Sequence, residues 1–315
     1  MTPVDPLATT QPMPRVLAPG LAVTWYELAR DVPYEVLDCA DIVVMHTTPD
    51  RSDVDKARTL RALGKRVWMA APGNPLADRS KSSRFVLDQL RAWADVIREA
   101  DVEVFEINAE GPSSPRSTVH WKPVDASDRV RLRERAKLIL AELSAALPGV
   151  ALSLTSHDYG EGHALTWDAW LGAQSPVTLH RPQHYPADKA LGEIRWRTLA
   201  GRIDTSRAQW GRLAARGVVR PELVPGAGGW SPYLQGWGHT VGATCWGLDQ
   251  APLAGMWACP SSWDASGTLA LRAMRAIRDE VGHAPGAVAR WQRAHDLEAD
   301  GIVGAATLRA IGLAP

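Results

Sequence analysis

Glu106, Asn108 and Glu110 stand at every second position of the stretch FEINAEGP, residues 105–112, in a segment that is otherwise apolar. Two carboxyls and a carboxamide on one face of a strand can hold, give and take protons, so the stretch is a candidate for acid–base chemistry. A strand turns successive side chains to opposite faces, which puts Val104, Glu106, Asn108 and Glu110 on one side and Phe105 and Ile107 on the other. A buried polar group left without a partner costs about 1 to 3 kcal/mol. Three in succession on an inward face therefore point to function more than to packing.

The elements that must hold these residues follow from hydrophobic periodicity. Short apolar or β-branched runs recur at 21–26, 41–47, 66–72, 102–108, 150–156, 176–182, 219–226 and 240–248, and each reads as a strand. Helical patterns lie between most of them. In 82–100, Phe85, Leu87, Leu90, Trp93, Ala94 and Ile97 fall near a 3.6-residue period, and the pattern of 129–149 ends in Pro148 and Gly149, as a helix stop does. Eight strands separated by helices predict an α/β protein, a (β/α)8 barrel. The competing open doubly wound sheet would place a glycine-rich phosphate loop after its first strand, and none is present. In a barrel the three polar residues climb the fourth strand toward its C-terminal end, where barrel enzymes build their sites.

The pattern Glu106-x-Asn108-x-Glu110 resembles the Asp-x-Asp-x-Glu signature on the fourth strand of family 18 chitinases and related endo-N-acetylglucosaminidases. TIM-barrel muramidases with an Asp-x-Glu pair are a close variant. The resemblance implies that Glu110 is the general acid, that Asn108 orients a 2-acetamido group or the attacking water, and that Glu106 holds Asn108 and tunes Glu110. It extends to Gln183 and Tyr185, where the chitinase-like barrels carry a Met-x-Tyr element, and to Trp246, where they place a platform tryptophan. His157 and Asp249 complete the expected substrate contacts. Glu106 and Glu110 are about 13 Å apart along an extended strand, whereas a retaining pair needs carboxyls about 5 Å apart. The second group is then Asp158, Glu161 or Asp249, or the substrate's own acetamido oxygen.

The segment VARWQRAHDLEADGIVGAATLRAIGL, 288–313, resembles the second half of a peptidoglycan-binding module through Trp291, Gln292, Leu297, Asp300, Gly301, Ile302, Gly304, Thr307 and Leu308. Trp291, Gln292, Asp300, Gly301, Gly304 and Thr307 are the implied wall-binding set. The mechanics are a helix ending near His295, an Asp-Gly turn and a second short helix. The stretch 268–282 is a candidate for both the barrel's closing helix and the module's first helix. The expected division is a leader over 1–19, the barrel over 20–283 and the wall-binding-like segment over 284–315.

Composition narrows the partners. Lysine plus arginine and aspartate plus glutamate are 35 each, a balance that gives no electrostatic argument for nucleic acid or an anionic membrane. Fourteen tryptophans against two phenylalanines supply indole faces suited to sugar rings, with core packing the expected role of most. Three cysteines, Cys39, Cys245 and Cys259, lack metal-ligand spacing and suggest a reducing compartment. No signal-peptide pattern opens the chain and no apolar run reaches membrane-spanning length, so membrane insertion is not expected.

The histidines His46, His120, His157, His180 and His184 raise a rival. TSHDYGEGH, 155–163, is similar to the zinc motif of wall peptidases, but an acid expected after Gly160 is Ala164 or Leu165. No metal and no cofactor are therefore expected. The resemblances together imply a peptidoglycan hydrolase similar to a phage endolysin, made in a bacterial cytoplasm and acting on the wall after release. A zinc amidase or peptidase and a non-catalytic wall-binding or virion protein are the alternatives.

Overall fold

The computed structural model describes residues 17–25, 34–109, 120–157, 166–184, 196–235, 241–258 and 265–313. Eight strands, β1 (Gly20–Trp25), β2 (Ile42–His46), β3 (Arg66–Pro72), β4 (Val104–Asn108), β5 (Ala151–His157), β6 (Val177–His184), β7 (Tyr233–Gln235) and β8 (Leu253–Ala258), close in chain order. Every neighbouring pair is parallel. The helices among the described residues are α1 (Tyr34–Cys39), α2 (Arg51–Ala62), α3 (Ser83–Ala100), α4 (Ala126–Ala146), α5 (Trp167–Leu171), α6 (Trp196–Ala215), α7 (Val241–Leu248), α8 (Ala265–Val281), α9 (Ala287–Ala294) and α10 (Ala305–Ile311). This is the expected (β/α)8 barrel with a C-terminal helical element.

The strands read as apolar runs because a parallel barrel buries both of their faces. Ala22, Ile42, Val44, Trp68, Ala70, Val104, Ala151, Leu179 and Leu253 form the inner core. Phe105, Ile107, Leu152 and Leu154 face the helices, the alternation expected of β4. Helix starts follow local chemistry. Asp50 caps α2 in a reciprocal box with Asp53, Ser82 accepts from the Phe85 amide, and Asp125 accepts from the Asp128 amide. In α3 the buried stripe is Val86, Leu90, Trp93, Ala94, Ile97 and Ala100, while Phe85 lies outside it beneath the Lys81 ammonium. Trp25, Trp68, Trp121, Trp170, Trp210 and Trp230 are fully buried, in the packing role expected of most of the tryptophans.

Two of the eight expected strands are misplaced. Residues 219–226 contain a 3-10 turn, Pro221–Leu223, because prolines at 221 and 225 cannot donate to a ladder. Residues 240–248 contain α7, an all-round apolar helix wedged between the barrel and its neighbours, whose pattern a short strand would share. The true β7 is three residues long, and β8, LAGMWA, is rich in alanine and glycine.

The C-terminal helices share one core cluster with β1, β8, α7 and α8. Ala270, Met274 and Ile277 of α8 cluster with Ala287, Val288 and Trp291 of α9, with Val303, and with Leu248 of α7. Helix α8 thus packs against the barrel on one side and against the terminal helices on the other. The apolar core runs without a break across residue 283. No helix among the described residues is long and apolar enough to cross a membrane.

Candidate active site at the C-terminal end of the barrel

Strand β4 carries the site upward from a buried base. Glu106 is in register with Ala70 of β3 and Ser153 of β5. Its Oε2 accepts from Ser153 Oγ at 3.0 Å and from Arg181 Nη1 at 3.0 Å. The pair is sealed, with side-chain exposures of 0% for Arg181 and 1% for Glu106. The guanidinium lies 4.3 Å from the Tyr233 ring centroid and 5.5 Å from that of Trp68. It has room because residue 255 is glycine, where a Cβ would stand 2.4 Å from Nη2. Sequence reading missed Arg181. Its signal was present, an arginine at alternate spacing from Leu179 and Gln183 and so on the inward face of the strand.

One pleat higher, Asn108 is half-buried at the end of β4, in register with Pro72 of β3 and Thr155 of β5. The Asn108 carbonyl accepts from the Gly73 amide at 2.8 Å, and the Ala109 amide donates to Thr155 at 3.0 Å. Gly73 is needed for this approach, since a Cβ there would lie 2.7 Å from the Asn108 carbonyl oxygen. Trp121 Nε1 donates to the Gly73 carbonyl at 3.0 Å and packs edge-on against Trp170. Gly73 and Trp121 brace the rim of the site, and neither was singled out from sequence. Thr155 leads to Arg181 in the β5–β6 register, and His157 to Gln183. Gln183 is buried at the end of β6, and its Oε1 has no hydrogen-bond partner among the described residues.

Glu110, Tyr185, Asp158 and Glu161 lie outside the described residues, and of His157 only the backbone is described. Trp246 is not at the end of the eighth strand. It lies in α7, half-buried against the outer core, because the stretch around it is helical. The tryptophan of β8 is Trp257, whose backbone is in register with Thr24 and Gln235.

Asp249 likewise lies away from the mouth. It follows α7 and precedes β8, which puts it at the N-terminal end of the barrel. Its carboxylate accepts from the amides of Ala287 at 2.9 Å and Val288 at 3.2 Å, closing the first turn of α9. Burial raises its pKa to about 6 against the pull of those amides and of nearby Arg278. The described histidines are dispersed. His180 faces the helices, bonded to Ser156 Oγ at 2.7 Å and the Leu223 carbonyl at 2.9 Å, with its pKa pushed down to about 4 by burial. His46 ends β2, and His120 is buried in the loop before α4, where its Nδ1 accepts from the Lys122 amide.

In the terminal element, the motif residues hold the fold. Trp291 is buried, donates to Glu280 at 2.7 Å and stacks on His295. Gln292 Nε2 reaches Asp300, the Ile302 carbonyl and Thr307 Oγ1, while its Oε1 accepts from the Gly301 amide. Gly301 adopts φ 74° in the turn. Gly304 is the residue that caps α10, with Thr307 buried three residues on.

Residues 286–311 match a family described as "Putative peptidoglycan binding domain". Among curated proteins none matches. Solved structures do. The active domain 2 of a thermostable chitinase from Pyrococcus furiosus is 10% identical with a TM-score of 0.53, over 78% of this chain and 85% of that one. A chitinase from Rhizomucor miehei is 15% identical with a TM-score of 0.43, over 69% and 68%. A xylose isomerase domain protein from Planctomyces limnophilus is 15% identical with a TM-score of 0.44, over 76% and 88%. At such identities the likeness is one of fold: a barrel similar to that of the Pyrococcus chitinase domain, joined to a peptidoglycan-binding-like element.

Proposed function

We propose that this protein is a glycoside hydrolase that cleaves a β-1,4 bond in the glycan of bacterial peptidoglycan. The observation that carries the reading is the inward polar ladder of β4, rising to the C-terminal mouth of a closed parallel barrel whose own chain ends in the peptidoglycan-binding-like element. Glu110, next on that face in sequence, is the general acid. Asn108 orients the 2-acetamido group or the attacking water, and Gln183 and Tyr185 contact the reacting sugar. Residues 284–315 bring the protein to the wall. A phage endolysin, made in the host cytoplasm and released to the wall by a separate pore-forming protein, is the setting that fits these parts.

With Asp249 committed to α9, the candidates for a second group are Asp158, Glu161 or the substrate's acetamido oxygen, and the missing near carboxylate on β4 favours the last. Three measurements test the assignment. Glu110→Gln keeps size and hydrogen bonding but removes the proton, so turnover falls by about 100-fold or more with the melting temperature little changed. An N-acetylglucosamine thiazoline inhibits competitively. A nearly active Glu110→Gln enzyme would move the acid elsewhere, and rapid cleavage of de-N-acetylated glycan would rule out acetamido participation.

A further inference from the structure

The buried ion pair beneath the mouth calls for an explanation that packing does not supply. Arg181 and Glu106 are desolvated together, and Arg181 leaves Nε and Nη2 buried without a hydrogen-bond partner. An apolar pair of similar volume would fill the same layer without either cost, and such replacements are often neutral or stabilising. The surroundings are nonetheless shaped to keep the cation. Gly255 leaves the space for Nη2, Tyr233 and Trp68 line its faces, and Ser153 shares the carboxylate oxygen that Nη1 binds. The Arg181 backbone is level with Thr155, and hence with Asn108, while its guanidinium reaches down to Glu106 one pleat lower on β4.

We propose that Arg181 is a positioning residue for this site: through Glu106 it fixes the height and orientation of the β4 face from which Asn108 meets the substrate. It does so without touching the sugar. The inference rests on the glycosidase reading for its catalytic consequence, but the placement of Asn108 is measurable without turnover. With Oε2 held by Arg181 and Ser153, Glu106 serves as the anchor of the ladder.

The test compares wild type with Arg181→Met, Arg181→Lys, Glu106→Gln and the neutral double variant Arg181→Met/Glu106→Gln. Each is measured for melting temperature, for kcat and KM on soluble chito-oligosaccharides, and for the side-chain amide NMR signals of Asn108, assigned through Asn108→Asp. The single neutral variants lower the melting temperature by leaving one buried charge unpaired, and the double variant recovers it. The double variant nonetheless keeps a kcat at least about tenfold below wild type with KM within about threefold, and displaced Asn108 amide signals. Arg181→Lys regains part of the kcat. If kcat and the Asn108 signals return to wild type together with the melting temperature in the double variant, Arg181 is structural and the proposal falls. Should the single variants fail to fold, the double variant and Arg181→Lys decide the matter. A wild type that cleaves no glycan would overturn the functional reading alone, and the Asn108 signals would still judge the positioning.

Discussion

Glu106 and Asp249 are both acidic residues in apolar surroundings, and at the residue scale their neighbours separate them. Glu106 is compensated by a guanidinium inside the barrel, whereas Asp249 is used by backbone amides at the opposite end. The sequence made the β4 alternation legible because period two is a local property, and Phe105 and Ile107 pack outward as the pattern requires. It could not reveal the role of Asp249, since its partners lie nearly forty residues further along the chain. A pH experiment follows from that role. Asp249 is raised in the folded protein to about 6, so the stability it contributes is full below the ordinary carboxylate value and is lost as pH rises through about 6. Asp249→Asn removes this pH dependence: wild type loses melting temperature between pH 4 and pH 7 relative to the variant, whose carboxamide keeps only one of the two amide contacts at every pH. Parallel curves across that range would contradict the assignment.

At the scale of elements, the first six strands were legible to within about two residues, while the last two were not. Strand β7 is three residues long, and the apolar run that resembled a strand is helix α7. Short apolar runs carry no period that tells the two apart. The rim is equally non-local. Gly73, just after the end of β3, donates to the Asn108 carbonyl, and Trp121, from the loop before α4, donates to the carbonyl of Gly73. Gly73→Ala therefore forces β3 and β4 apart at the mouth. It lowers the melting temperature by several degrees, corresponding to about 1 to 3 kcal/mol, and reduces glycan cleavage more than a substitution at the exposed Leu63. An alanine variant with wild-type stability and turnover would show that the rim yields without cost.

The whole molecule joins two parts that the sequence separates at residue 283. Asp249 holds the start of α9, and a Cβ on Gly242, at the other end of α7, would lie 3.2 Å from Ile302. The terminal element thus lies along α7 and shares its core with α8. The motif in 288–313 was legible because its turn and helix signals are local, but its union with the barrel depends on long-range packing. Deleting 284–315 uncovers Leu248, Met274 and Ile277, so the melting temperature falls sharply and activity on soluble glycan falls with it. A truncated protein of unchanged stability would show instead that the element is a separable module.

Cleavage of wall glycan by the barrel is measured by mass spectrometry of purified peptidoglycan digested with the intact protein, with Glu110→Gln as control. Wild type yields fragments ending in a new reducing N-acetylated sugar, and the variant yields almost none. Fragments cut only at amide bonds, or no soluble fragments at all, would contradict glycan cleavage.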